Sequence, residues 1–256
     1  MTPEEFRAAG HRLVDWIADY RTRVAALPVM ARTEPGDLKR QLPSTPPVEP
    51  EGFDAILADL DRLILPGLSH WQHPGFFGYF PSNGLLASVL GDYASTGLGV
   101  LGLSWQSSPA LTEVEEVVTE WLRQMLGLSS EWSGVIQDTA STSTLMALIC
   151  AREKTTDYSL GRGGLQREPQ PLVVYASAHG HSSVDKAALL AGFGRQNIHL
   201  VPTDGSYAML PDALDEAIDR DRRAGAVPCA VVTTTGTKNW EPWLAGTCTL
   251  TGAPGW

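Results

Sequence analysis

A chain of 256 residues with 43% hydrophobic and 19% charged side chains is long enough to bury a sizeable core and ordinary for a globular protein. Its formal net charge of −10 argues against nucleic acid or an anionic membrane surface as a partner. Cys150, Cys229 and Cys248 are sparse, odd in number and without metal-ligand spacing, which points to a reducing cytoplasm rather than a disulfide framework.

The start, Met1 to Phe6, is acidic and helical and carries no secretory pattern. Thr2, Pro3 and Glu5 read as N-cap, first-turn proline and capping-box glutamate. Phe6, Leu13, Ile17, Tyr20, Val24 and Leu27 then predict an amphipathic helix. Residues 35–50 are proline-rich and polar, an extended connection. A second helix follows, with Phe53, Ile56, Leu57, Leu60 and Ile64 on one side, and stops before Pro66. Two such helices cannot form a core alone, so they must cover the rest of the chain or, the favoured expectation, a second subunit.

From His70 to Pro81, rings crowd among glycine and proline, predicting an irregular, aromatic-walled segment. It is either core packing under a loop or a pocket wall for a flat ligand. Residues 84–105 are weakly polar but too interrupted to span a membrane. Ser108 and Pro109 open a helix expected to turn Leu111, Val114, Val118, Trp121, Leu122 and Met125 inward and to stop at Gly127.

Residues 134–137 read as a short strand end, followed by a turn of hydroxyl residues, Thr139 to Thr144, and a helix with Leu145, Met146 and Ile149 on its apolar side. A helix N-terminus of this kind suits a phosphate, although serine and threonine are also ordinary caps. Strands are expected at 172–176, 198–201 and 229–233, and helices at 183–190 and 210–224. Such alternation predicts an α/β fold with a parallel sheet covered on both faces. Arg220, Arg222 and Arg223 alternate with acids on an expected solvated face. Residues 238–256 show neither strand nor helix periodicity.

Ligands of parallel sheets gather at the carboxyl ends of the strands. Three polar clusters are expected there: Thr139 to Ser141, Ser177 to Ser183, and Thr233 to Thr237. Hydroxyls can hold phosphate oxygens and an imidazole can lie against an aromatic ring. A nucleotide pocket could use the same residue types, but its glycine-rich fingerprint is missing. A zinc reading of His179 and His181 lacks further ligands, so no metal is expected.

The ordered runs Glu5-Phe-Arg7, Leu65-Pro-Gly67, His70-Trp71, Phe76 to Pro81, Gly102 to Trp105, Ser108 to Glu113, Gly134 to Gln137, Thr139 to Ser141 and Ala178 to Ala187 carry a resemblance. The chain resembles the pyridoxal-phosphate-dependent group II decarboxylases, the aromatic-L-amino-acid decarboxylase family. The resemblance implies a fold-type I, aspartate-aminotransferase-like α/β architecture and a homodimer embraced by N-terminal arms. It divides the chain into a helical arm and aromatic pocket segment, 1–81, a partial cofactor-binding domain, 82–237, and an atypical tail, 238–256.

It further implies that Thr139, Ala140 and Ser141 meet the phosphate of pyridoxal 5'-phosphate. His181 is the catalytic histidine that stacks on the cofactor ring, and Thr234 lies near the ring substituents. His179 reads as an ordinary loop histidine. Trp71, Tyr79, Phe80, Pro81 and Ser82 would surround an aromatic amino acid, with Leu101 and Leu103 reaching across from the partner subunit. The family often has threonine at Ser82 and phenylalanine at Leu103; the second change enlarges the pocket slightly.

The family's cofactor-binding lysine and its pyridine-facing aspartate have no counterpart at their expected places. No aspartate follows Asp221 and no lysine follows Lys238. Neither Lys238 nor Glu241 is expected to substitute. The ending therefore reads as truncated or out of frame, with an uncovered sheet edge. The expected behaviour is weak cofactor binding without turnover. The alternatives are a non-catalytic dimerisation or regulatory fragment and an aldehyde-forming decarboxylase–oxidase of the same family.

Overall fold

The computed structural model describes residues 1–79, 84–235 and 246–251, in two compact units, Met1–Gly99 and Val100–Trp256.

In the first unit, helix α1 spans Pro3–Arg23. Its capping box is complete: the Glu5 amide donates to Thr2 Oγ1 at 3.2 Å and the Thr2 amide to Glu5 Oε2 at 2.7 Å. The proline-rich connection is not wholly extended, because Asp37–Gln41 form a short helix, α2, after the left-handed Gly36. Asp37 starts that helix by accepting from the Glu34 amide at 2.7 Å, a turn signal that proline content masked. Helix α3, Phe53–Asp59, continues through a π-turn over Leu60–Ile64 and a tighter turn over Leu65–Gly67. Ion pairs Arg12–Asp54 and Arg23–Asp61 link α1 to this segment. The Tyr20 hydroxyl lies 2.9 Å from Nδ1 of the buried His70, whose amide donates to the Val29 carbonyl. Burial pushes the Tyr20 phenol up and the His70 imidazole down, so both are neutral partners at neutral pH. Helix α4 spans Leu86–Leu98 and ends at a left-handed Gly99. Among the described residues no helix is long and apolar enough to cross a membrane.

In the second unit, helix α5 covers Pro109–Met125, capped by Ser108. Its apolar side is not inward: Leu111, Val114, Trp121, Leu122 and Met125 are all exposed, Val118 is partly covered, and the buried residue is Thr119. The amphipathic pattern is real, but no described element lies over that stripe. The strand expected at 134–137 is also absent. Val135 and Ile136 stay exposed, and the Ile136 amide donates to Glu115 Oε1 on α5 at 2.7 Å instead of to a neighbouring strand.

Helix α6, Ala140–Thr155, turns Leu145, Leu148 and Ile149 into the core while Met146, one step round from Leu145, faces solvent. Then come β1 (Leu172–Ser177), α7 (Ser183–Leu190), β2 (Ile198–Val201), α8 (Pro211–Arg223), β3 (Val227–Thr235) and β4 (Gly246–Thr251). The sheet order is β2-β1-β3-β4, with the first three parallel and β4 antiparallel. Period-two alternation splits β1 between two cores. Leu172, Val174 and Ala176 meet Leu148, Val184 and Ala188 of α6 and α7; Val173 and Tyr175 meet Ala217 of α8.

The tail thus departs from expectation. Its segment 246–251 is a strand, registered from Ala230↔Thr251 to Thr235↔Gly246, and it covers the β3 edge that was expected to be bare. Alternating threonines in Gly246–Thr251 are good strand formers, a signal obscured by the Trp, Gly and Pro around them.

Candidate functional site

The parallel strands β1, β2 and β3 end on the same side of the sheet; one polar cluster lies in the connection after β1, and the described part of a second, Thr233 to Thr235, closes β3. After Ser177 the chain turns sharply: the Gly180 amide donates to the Ser177 carbonyl at 3.1 Å. A Cβ on Gly180 would stand 3.3 Å from that carbonyl oxygen and 3.8 Å from Thr234 Oγ1, so close approach explains the glycine. The same contact places Thr234, near the end of β3, beside the turn that leads into His181.

The His181 ring is exposed, yet its orientation is fixed. The Ser183 amide donates to His181 Nδ1 at 3.1 Å, and the buried Ser183 hydroxyl lies 2.9 Å from the same atom. Nδ1 therefore presents its lone pair, and in the neutral ring Nε2 bears the proton. The Val184 amide donates to the His181 carbonyl at 3.0 Å, joining the pinned ring to the start of α7. A cleft of about 190 Å³ adjoins it, lined in part by Ser177, His181, Asp185 and Arg195.

The third cluster stands at the N-terminus of α6. Thr139 Oγ1 accepts from the Thr142 amide at 3.2 Å and lies 3.1 Å from the Thr142 hydroxyl. Ala140 and Ser141 occupy the first turn, where amides have no intrahelical acceptor, and both are exposed. The packing of α6 and α7 through Leu148, Val184 and Ala188 puts both helices on one face of the sheet. Among the described residues, no hydrogen bond joins the Thr139 turn to His181 or Thr234.

In the first unit, Trp71 stacks on Tyr79, with ring centroids 5.7 Å apart and planes 5° from parallel, and on Phe76 at 5.0 Å. Tyr79 adopts a left-handed φ of 58° and projects into solvent. Phe80, Pro81 and Ser82 lie outside the described residues, as do Lys238 and Glu241. Leu101 and Leu103 belong to the second unit and are exposed.

Sequence reasoning missed one buried cluster. Asp221, expected on a solvated face, is buried; its Oδ2 accepts from the Tyr175 hydroxyl at 2.8 Å and lies 2.6 Å from His199 Nδ1. Burial, then the neighbouring carboxylate, drives the Tyr175 phenol well above its ordinary range. The cluster ties α8 to β1 and β2. No local signal in a run of alternating charges distinguishes the inward acid from its neighbours. Tyr207 was also missed: its ring meets His179 edge-on, with centroids 4.8 Å apart.

In kind, these groups fit a phosphorylated pyridine. First-turn amides and hydroxyls at Thr139 to Ser141 suit a phosphate, and the pinned, open face of His181 suits a flat ring. They do not supply a covalent anchor or a carboxylate for the ring nitrogen.

Comparison with known proteins agrees with this chemistry. Residues 35–241 match the family description "Pyridoxal-dependent decarboxylase conserved domain". The chain is 41% identical to the phenylacetaldehyde synthase of Arabidopsis thaliana, over 96% of this chain and 51% of that protein. It is likewise 41% identical to the aromatic-L-amino-acid decarboxylase of Bos taurus, over 93% of this chain and 50% of the other. Its fold superimposes on Catharanthus roseus tryptophan decarboxylase, solved with L-tryptophan, with a TM-score of 0.85 and 38% identity, over 93% of this chain and 52% of that one. The chain thus spans about half the length of the curated relatives it matches, and its fold is that of the fold-type I pyridoxal-phosphate enzymes. By sequence and by fold, the chain belongs to the pyridoxal-dependent decarboxylase family.

Proposed function

We propose that this chain forms the phosphate-gripping and ring-stacking part of a cytoplasmic decarboxylase that converts an aromatic L-amino acid to its amine and carbon dioxide. The observation that carries the reading is the His181 ring, exposed yet pinned through Ser183, one turn from Thr234 Oγ1. When bound, pyridoxal phosphate supplies an electron sink for the carbon that loses carbon dioxide.

The chain's own groups bind and orient. The Ala140 and Ser141 amides and the Thr139 and Ser141 hydroxyls donate to phosphate oxygens. An anion at an exposed helix terminus gains only about 0.3–1 kcal/mol from the helix dipole. The His181 face holds the ring by stacking, with Nδ1 committed to Ser183, and Thr234 offers a hydroxyl to the ring substituents. The stacked Trp71 and Tyr79 form an aromatic wall that favours a ring-bearing substrate; Phe80, Pro81 and Ser82, assigned to the same wall, lie outside the described residues. Leu101 and Leu103 complete that wall from the partner copy of a homodimer held by the α1 arm. The exposed apolar side chains of α4, among them Leu86 and Leu90, support such a second copy.

The Arabidopsis relative named phenylacetaldehyde synthase supports a second reading, in which the same site belongs to an aldehyde-forming enzyme. Aldehyde with hydrogen peroxide, rather than amine, is its distinguishing product.

Titrating the purified chain with pyridoxal phosphate, with and without borohydride, tests the proposal. Weak, saturable binding that His181→Ala abolishes is expected, with no reducible adduct fixed at one lysine and no amine released. Binding indifferent to His181→Ala would remove the assigned stacking role. A fixed adduct on Lys238 together with amine from tryptophan, phenylalanine or tyrosine would show a complete active site where a partial one is proposed.

A further inference from the structure

Tyr207 has a φ of 68°, a left-handed backbone that a bulky side chain adopts only when its surroundings enforce it. The enforcement here is local. Asp204 Oδ1 accepts from the Ser206 amide at 2.8 Å, the Ser206 hydroxyl at 2.7 Å and the Ala208 amide at 2.9 Å. The Tyr207 amide donates to the Asp204 carbonyl at 3.0 Å and the Asp204 amide to the Ala208 carbonyl at 2.9 Å. These bonds, the Ser206 hydroxyl foremost, hold the Asp204 carboxyl below the usual carboxylate range. A bridge between Thr203 and Met209 closes the loop. The result is a rigid hairpin between β2 and α8 whose tip side chain goes where the backbone sends it.

It is sent to His179, which it meets edge-on at 75°. His179 lies inside the Ser177–Gly180 turn that delivers His181. On the β3 flank the same turn abuts Thr234 Oγ1 through Gly180. Because β1 lies between β2 and β3, Tyr207, on the loop after β2, and Thr234, on β3, flank the turn from opposite sides. A glycine at 207 would relieve the backbone strain. The half-exposed tyrosine adds to the local hydrogen bonds the ring contact with His179, which glycine would lack.

We infer that Tyr207 is a positioning residue: by packing on His179 it fixes the 177–180 turn, and with it the plane that His181 offers to a flat ligand. The inference rests on the proposed stacking role of His181. It requires the ring of Tyr207 and not its hydroxyl.

Nuclear magnetic resonance of the histidine rings in the full 256-residue chain tests it, with signals assigned by His179→Gln and His181→Gln. Tyr207→Gly should leave the melting temperature unchanged or raised while displacing the His181 ring signals. Pyridoxal phosphate should then bind about fivefold more weakly, the size of one aromatic pair. Tyr207→Phe should match the wild type in both readouts. The inference is overturned if Tyr207→Gly leaves the His181 signals in place, or if Tyr207→Phe displaces them as Tyr207→Gly does. Wild-type protein that binds no cofactor, while Tyr207→Gly still moves His181, would sink the functional reading and leave the positioning role standing.

Discussion

Helix α5 is strongly amphipathic and helix α6 is not, yet α6 is the one whose apolar residues are covered. Leu148 of α6 is 0% exposed, enclosed by β1, β3 and α7, whereas Leu122 of α5 is 45% exposed with Trp121 and Met125 beside it. The 3.6-residue period announces which side of a helix seeks cover; it does not say whether cover is present. Burial in the second unit follows the sheet, and α5 is held by specific contacts, among them Gly134 against Thr119 and the Ile136 amide on Glu115.

The sharpest way to break that contrast is to truncate both leucines. Leu148→Ala should cost about 2–5 kcal/mol, as in other close-packed cores. Leu122→Ala should cost about 0.5 kcal/mol or less, as at exposed sites. Denaturant unfolding measures both, and equal losses would mean that the α5 stripe is covered in solution.

The Tyr175–Asp221–His199 cluster sharpens the sheet side. Asp221→Ala leaves the Tyr175 hydroxyl buried without its acceptor and should cost about 2–3 kcal/mol by chemical denaturation. The pH dependence follows from the phenol. Its folded value lies above its unfolded one, so its contribution is complete below about pH 10 and is lost as pH rises beyond that. Tyr175→Phe should flatten that alkaline decline; a decline of unchanged steepness would remove the linkage from this residue.

On the α5 side the expected effects are smaller. A Cβ on Gly134 would come within 2.8 Å of Thr119 Cβ, an atom fixed to its backbone. Gly134→Ala should therefore cost about 1 kcal/mol, at the low end for overpacking, and expose the Ile136 amide to hydrogen exchange. Protection of that amide equal to wild type would show that the segment does not rest on α5. Smallest is the titration of Glu120, whose carboxyl hydrogen bonds from Arg123 and Gln124 hold at about 2. Its support for α5 is present above the ordinary glutamate value and fades as pH falls towards about 2, so Glu120→Gln should reduce the acid dependence of helicity.

Much of the sheet unit was legible because its signals are local. The apolar run at 172–176, the capping residue Thr139 and the Ser108-Pro109 start of α5 each state their structure within a few residues. The strand expected at 134–137 failed because a strand requires a neighbour, and there the Ile136 amide bonds to a side chain. Asp221 escaped notice for the same reason: its partners, Tyr175 and His199, lie 46 and 22 residues away. In the candidate site, residue types pointed to three polar clusters and the family resemblance singled out Thr139, His181 and Thr234 within them, but the Ser183 bonds that orient the imidazole and the Tyr207 contact came only from the fold.

The central claim is that one ligand engages both the first turn of α6 and the His181 ring. Titrating isotope-labelled protein with pyridoxal phosphate while following the Ala140 and Ser141 amides and the His181 ring tests it most directly. The account predicts that all three signals move together along one binding curve, and that inorganic phosphate moves only the two amides. Amides and imidazole responding with separate affinities, or an imidazole that never responds, would contradict it.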